Sequence, residues 1–281
     1  MLHKYCVTVL LLSNITDFHI LLGNWMKFVN LNFMAMLSAT EIEQLDRDGY
    51  VGLGPLLSPS EVAEVNQRID ELILQEGAHA GSELFDSKYI RHPKENGADR
   101  LADLVNKGAI FDRFYTHPKV LSAIQAVLGE AYKLSSLNYR ASKPGQGLQK
   151  LHVDYGNTVP IGGYKVCNTI WLLDDFIENN GATRIVPGTH KSRALPEDVM
   201  PDPLEAHPKE IKILAPAGSV FVFNSHVWHG GTINHTQNQR RSIHSYFCAT
   251  DQPQQLDQCR YITEATKNRI GQDAQRILDV L

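Results

Sequence analysis

A chain of 281 residues, 43% hydrophobic and 21% charged, has the make-up of an ordinary globular protein and can bury a substantial core without disulfide or metal staples. A net charge of −4 with no Lys/Arg block leaves no basic footprint for nucleic acid, and the apolar run at residues 6–12 is far too short to cross a bilayer. Cys6, Cys167, Cys248 and Cys259 form no C-x-x-C pair, which argues against a zinc ribbon and for a reduced, cytoplasmic protein.

Lys4 and the apolar run look like the start of a signal peptide, but no small-residue cleavage site follows. Residues 1–36 therefore read as an N-terminal extension, with Met26, Met34 and Met36 as alternative starts, and 37–281 as a single domain. Ser38 with Glu41 three residues on has the pattern of a capping box, and Gly49 ends the helix it opens. A short strand at 50–53 follows. Ser58 and Pro59 begin a second helix, in which Val62, Val65, Ile69, Leu72 and Ile73 recur at helical spacing. Residues 77–100 are polar and irregular and are expected to form a long loop, a candidate lid. Helices near 100–115 and 117–128 complete a helical part over 37–130. From 131 the pattern changes to short runs rich in Val, Ile, Thr and aromatics, at 132–142, 166–174, 183–186, 211–214, 219–223 and 241–248. Their spacing predicts an antiparallel sandwich or barrel over 131–250. A Pro- and charge-rich insertion at 190–210 is a second lid candidate, and 262–281 reads as a closing helix. The fold class is mainly β with flanking helices.

The chemistry centres on Leu151-His152-Val153-Asp154-Tyr155. In an extended segment alternate residues share a face, so His152 and Asp154 project together and could grip one ion. An imidazole and a carboxylate suit iron, manganese or zinc, and one more histidine completes a facial triad. Downstream stands Asn224-Ser225-His226-Val227-Trp228-His229-Gly230-Gly231, then Asn234 and Arg240-Arg241. The residues alone leave His226, His229, His235 and His244 open as the third ligand. Trp171, Trp228 and His190 read as structural.

These stretches join others in the same order: Leu37-Ser38-Ala39-Thr40-Glu41, Asp48-Gly49-Tyr50-Val51, Lys143-Pro144-Gly145, Trp171-Leu172-Leu173-Asp174-Asp175, Asn180-Gly181-Ala182-Thr183 and Val186-Pro187-Gly188-Thr189-His190. Over about residues 37–250 the whole resembles the phytanoyl-CoA dioxygenase family of iron(II)- and 2-oxoglutarate-dependent oxygenases. The resemblance implies a double-stranded β-helix (jelly-roll, cupin-like) core and an iron(II) held by His152, Asp154 and His229, the catalytic residues. His229 is favoured because the family's ligand stands just before Gly-Gly. It also implies 2-oxoglutarate and O2 as cosubstrates. Arg240, 11 residues after His229 (240 − 229), matches the arginine that pairs with the distal carboxylate; a planar guanidinium suits that task. Counting 11 from His226 reaches Gln237, which cannot form an ion pair. Thr183 and Gln149 are further candidates for the cosubstrate, and Tyr155, Asn138, Arg140 and Arg184 for the substrate.

Related halogenases carry a small residue in place of the acidic ligand, so Asp154 favours oxygen insertion or desaturation. The expected reaction is hydroxylation of an unactivated C–H bond of a small specialised metabolite, with release of succinate and CO2. The partners expected are a small molecule, with no nucleic acid and no membrane; oligomeric state carries no sequence signal. Two alternatives stay open: a catalytically silent ligand-binding relative, and a cupin-like metalloenzyme that does not use 2-oxoglutarate.

Overall fold

The computed structural model describes residues 36–281 other than 86 and 91–96; the expected extension lies, but for Met36, outside the described residues. Helix α1 (Ala39–Asp48) starts at the foreseen capping box: the Ser38 hydroxyl accepts from Glu41 N–H at 3.2 Å, and Ser38 N–H donates to Glu41 Oε2 at 2.8 Å. Gly49 ends it at φ 80°, where any Cβ would run into the His190 ring. Strand β1 (Tyr50–Pro55) follows, then α2 (Pro59–Glu76), which has its own capping box at Ser58 and Glu61. Its regularly spaced Val62, Val65, Ile69 and Leu72 are buried.

The region expected as a helix near 100–115 is different. Residues Ala98–Leu101 form strand β2, followed by 3-10 turns at Leu104–Asn106 and Ala109–Phe111 and a single helical turn, α3 (Arg113–Thr116). Two positive-φ residues break the chain, Asp103 at 53° and Gly108 at 141°. Apolar residues at near-helical spacing, Leu101, Leu104, Val105 and Phe111, nevertheless all reach the core, because 3-10 turns also bring neighbours to one side. Helix α4 (Pro118–Leu128) agrees with expectation.

The β region comprises β3 (Tyr132–Ser142), β4 (Val166–Leu172), β5 (Thr183–Val186), β6 (Ile211–Lys212), β7 (Ser219–Asn224), β8 (Trp228–Gly231) and β9 (Arg240–Ala249), with one helical turn, α5 (Pro196–Val199), in the insertion. Two antiparallel sheets result, ordered β1-β7-β4-β9-β3-β2 and β6-β5-β8, the double-stranded β-helix arrangement. Strand β4 shows how the layers form. Its odd-numbered Cys167 and Trp171, with Leu173 just past its end, join the large cluster under the helices, whereas Ile170 and Leu172 pack with Ile185, Ile213, Phe223 and Val227. Buried on both faces, β4 reads as an apolar run rather than an alternation. The expected C-terminal helix is broken: α6 (Gln258–Tyr261) precedes α7 (Glu264–Arg269) and α8 (Gln272–Leu278), the last two separated by an extended Ile270 and by Gly271. Residues Leu37–Leu281 form one compact unit.

Candidate active site

Residues 151–154 are extended and run antiparallel to β8. His152 N–H donates to His229 O at 3.0 Å and His229 N–H to His152 O at 3.1 Å, a reciprocal pair that sets the two residues directly opposite. Asp154 N–H continues the pairing to Ser225 O at 2.9 Å. Alternation does the rest. Leu151 and Val153 are buried with Val186 and Trp228 on one side, which sends His152 and Asp154 to the other. The segment comes this close because Gly230 and Gly231 carry no side chain: a Cβ on Gly230 would lie 3.0 Å from Lys150 O, and one on Gly231 would overlap Gly147 O.

The ligand atoms of His152, Asp154 and His229 all lie within 4.8 Å of one another. Each ring is fixed by its other nitrogen. His152 Nδ1–H donates to Lys150 O at 2.8 Å and His229 Nδ1–H to Val227 O at 2.9 Å, so each neutral imidazole presents the Nε2 lone pair. Those Nε2 atoms stand 3.7 Å and 3.5 Å from Asp154 Oδ1. Two lone pairs and an anionic oxygen converging on one point repel unless a cation or proton lies between them, so the donor set fits a divalent metal of the iron type. Burial alone would raise the Asp154 carboxyl, but the His229 and His152 rings beside it, which carry charge when a proton rather than a metal lies between them, hold it well below the usual carboxylate range. Burial pulls His229 down, and the Asp154 charge and hydrogen bond more than reverse it, leaving His229 raised. Asn168, on β4, donates from Nδ2 to Asp154 Oδ2 at 3.5 Å; it was missed because nothing in Val-Cys-Asn-Thr marks a site residue.

The triad lines a cavity of about 170 Å³ shared with Arg240, Thr183, Gln149, Asn138 and Arg140. Arg240, 2% exposed, is oriented by NH1 to Ser242 Oγ (3.2 Å), by NH2 to Gly181 O (2.8 Å), and by the Phe176 ring 4.4 Å from its guanidinium carbon. Its distance along the chain from His229 is set by a turn built on Asn234, whose side chain donates to Ser142 O and Asn238 O and accepts from Thr236. A fixed, buried guanidinium facing the metal ligands across a small cavity fits a dicarboxylate cosubstrate. Gln149 Oε1 accepts from Gly231 N–H at 3.0 Å, leaving its NH2 group as the donor end. Tyr155 lies in an adjoining cavity that shares Asp154, Tyr246 and Gln255 with the first.

Arg184 requires a correction. It does not line the cavity; its guanidinium binds Gln149 O, Pro203 O, Leu204 O and Glu205 O and pairs with Glu210 at 3.3 Å. It clamps the 190–210 insertion through the backbone oxygens of Pro203, Leu204 and Glu205, and no residue of the insertion stands among those lining the cavity. From the 77–100 segment Leu84, Tyr89, Ile90 and Arg100 do line the cavity; residues 86 and 91–96 of that lid expectation lie outside the described residues. Of the rival histidines, His226 is engaged elsewhere: its Nε2 accepts from Lys165 N–H at 3.1 Å, and its ring lies between Tyr155 and Tyr164. Burial pushes it down to about 4. His235 is exposed, and His244 lines the cavity without joining the triad.

Among the described residues no helix is long and apolar enough to cross a membrane. The family profile described as phytanoyl-CoA dioxygenase (PhyH) matches residues 45–242, a span that contains the triad and Arg240. Dioxygenase ALT11 of Alternaria alternata is 29% identical over 74% of this chain and 70% of its own length, and dioxygenase FUM3 of Gibberella moniliformis is 28% identical over 75% and 73%. The crystal structure of HygX from Streptomyces hygroscopicus with nickel and 2-oxoglutarate bound superposes with a TM-score of 0.60 at 15% identity, covering 78% of this chain and 89% of HygX. The chain belongs to the phytanoyl-CoA dioxygenase family and is an oxygenase of its iron(II)- and 2-oxoglutarate-dependent type.

Proposed function

We propose that the protein hydroxylates an unactivated C–H bond of a small molecule, a specialised-metabolite intermediate, and releases succinate and CO2. The observation that carries this reading is a His-Asp-His donor set and a fixed, buried guanidinium on the walls of one cavity. When bound, iron(II) and the 2-oxo acid supply the oxidising chemistry. The chain supplies position. His152 and His229 offer Nε2, and Asp154 offers an oxygen kept ionised by both rings. The Arg240 guanidinium holds the distal carboxylate through paired N–H donors. The Thr183 hydroxyl and the Gln149 amide add donors along the same wall. Ile170 and Phe223 add apolar surface to the cavity wall. Cys167, Cys248 and Cys259 are free thiols, which supports a reducing, cytoplasmic setting.

Anaerobic addition of 2-oxoglutarate to the iron(II)-loaded protein is expected to produce a visible charge-transfer band, and admission of O2 to release succinate. Metal binding without a band would turn the reading to a metalloenzyme that does not use 2-oxoglutarate, and a band without succinate release to a silent relative.

A further inference from the structure

Gln255 lies beyond the 45–242 span that matches the family profile, yet it stands on the walls of both cavities beside the triad. The two cavities also share Tyr89, Ile90, Asp154 and Tyr246, which puts Gln255 at their junction. Its main chain is pinned on both sides. Gln255 N–H donates to Ser135 Oγ at 2.7 Å, its carbonyl oxygen accepts from Ser87 Oγ–H at 2.5 Å, and Leu256 N–H donates to Ser135 O at 3.0 Å. Ser87 belongs to the 77–100 segment, whose Leu84, Tyr89 and Ile90 line the first cavity.

The side chain is fixed as well. Alternation along β3 buries Leu137, Tyr139 and Ala141 in the large core cluster and leaves Ser136 and Asn138 for the cavity wall. There Asn138 Nδ2 donates to Ser136 Oγ at 3.0 Å, and Ser136 Oγ–H donates to Gln255 Oε1 at 2.7 Å. With Oε1 engaged, the NH2 group is the open end of the Gln255 amide, and it has no hydrogen-bond partner among the described residues. A chain of donors feeding into an amide oxygen polarises the amide and strengthens its N–H as a donor. A fixed, unpaired donor on a cavity wall selects a ligand that brings an acceptor to that point, because an analogue without one leaves the donor unsatisfied.

The surroundings describe the acceptor. An amide brings no charge, and the ionised Asp154 lines the same two cavities, so a neutral oxygen suits the place better than a second carboxylate. The adjoining cavity, about 290 Å³, has a mixed wall, with Ser135, Gln252 and the exposed Lys88 beside Tyr155, Val166 and Pro253. Such a wall takes a body that is apolar in part and carries oxygen functions. Resting on the oxygenase reading above, we infer that Gln255 determines substrate specificity: its NH2 group donates to a neutral carbonyl oxygen, that of a ketone, ester or amide, on a prime substrate lying across the junction of the two cavities.

Matched probes test this: 1-indanone against indane and 4-phenylbutan-2-one against butylbenzene, added anaerobically to iron(II) protein at saturating 2-oxoglutarate. Burial of apolar surface alone would favour the hydrocarbons. The ketones are instead expected to perturb the charge-transfer band at concentrations about tenfold below them. Gln255→Leu, which removes the donor, should bring the members of each pair within about threefold of one another. Gln255→Glu keeps an acceptor for Ser136 and the main-chain contacts but puts an oxygen where the NH2 group stands, so it too should lose the preference. It decides the matter if Gln255→Leu fails to fold, as judged by its unfolding midpoint. A purely structural Gln255 would leave the ketone preference intact in Gln255→Glu. Equal or weaker response to the ketones in the wild type, no response to any probe, or a ketone preference that persists in a folded variant would overturn the inference. If the wild type forms no band, the oxygenase reading has failed instead, and the same pairs followed by thermal shift still decide whether Gln255 selects the carbonyl.

Discussion

His226 and His229 stand three residues apart, and chemistry alone would let either hold a metal. Their second hydrogen bonds separate them. His229 uses Nδ1 on Val227 O and turns Nε2 toward Asp154, whereas His226 spends Nε2 on Lys165 N–H. His229→Ala is therefore expected to abolish stoichiometric iron binding. His226→Ala should keep the iron but lose about 1–3 kcal/mol of stability, because a buried N–H loses its acceptor and the space between Tyr155 and Tyr164 empties. Colorimetric iron content with denaturant unfolding checks both; iron retained in His229→Ala and lost in His226→Ala would reverse the assignment. The contrast also marks what could be read at residue scale. His152 and Asp154 were legible because a two-residue spacing survives in any extended segment. Asn168 was not, because it reaches the cavity by the pairing of β4 with other strands, and pairing partners are not written in local sequence; His244, open as a ligand in the sequence, lines the cavity from β9.

At the scale of elements, the long strands β3, β4 and β9 were legible, since aromatic and aliphatic residues of strand propensity coincide there with burial. The misses fall where they disagree. Strand β2 reads Ala-Asp-Arg-Leu, too short and polar to show itself, and β8 reads Trp-His-Gly-Gly, which carries a turn's composition inside a sheet. The glycines of β8 have a use that composition hides. Gly231 is not in the left-handed region; it is needed because Gly147 O packs where a Cβ would go. Gly231→Ala should push the 147–150 segment away, shifting Gln149 and the His152 pairing with it. A stability loss of about 1–3 kcal/mol is expected, with iron affinity lowered by about tenfold or more as the ligands lose alignment. Calorimetric titration of metal into wild type and variant would show it; equal affinity would mean that the segment does not set the site.

At the scale of the whole molecule, buried histidines make the fold sensitive to acid. Burial lowers His117 and His190, pushes His226 down to about 4 and, with neighbouring arginines, His244 to about 3. A histidine whose folded value lies below its unfolded value near 6.5 is neutral in the fold and charged in the unfolded chain at pH 5. The unfolded state then binds more protons, so stability is full above about pH 6.5 and falls as pH drops toward the folded values. Two groups act the other way. His229 is raised by Asp154, so its contribution grows as pH falls through its folded value and is complete below the unfolded one. Asp103, buried in its 3-10 turn, is raised to about 7 and is protonated in the fold before it is in the unfolded chain, which also favours the fold as pH falls from 7. Each unit of separation weighs about 1.4 kcal/mol, and four lowered histidines outnumber the two opposing groups. The metal-free protein is therefore expected to lose about 1–3 kcal/mol between pH 7 and pH 5, measured by urea unfolding at the two values. Unchanged or greater stability at pH 5 would mean that the buried histidines are already charged in the fold. Iron steepens the dependence, because His152 and His229 must stay unprotonated at Nε2 to hold it, so acidification removes the metal's stabilising contribution as well.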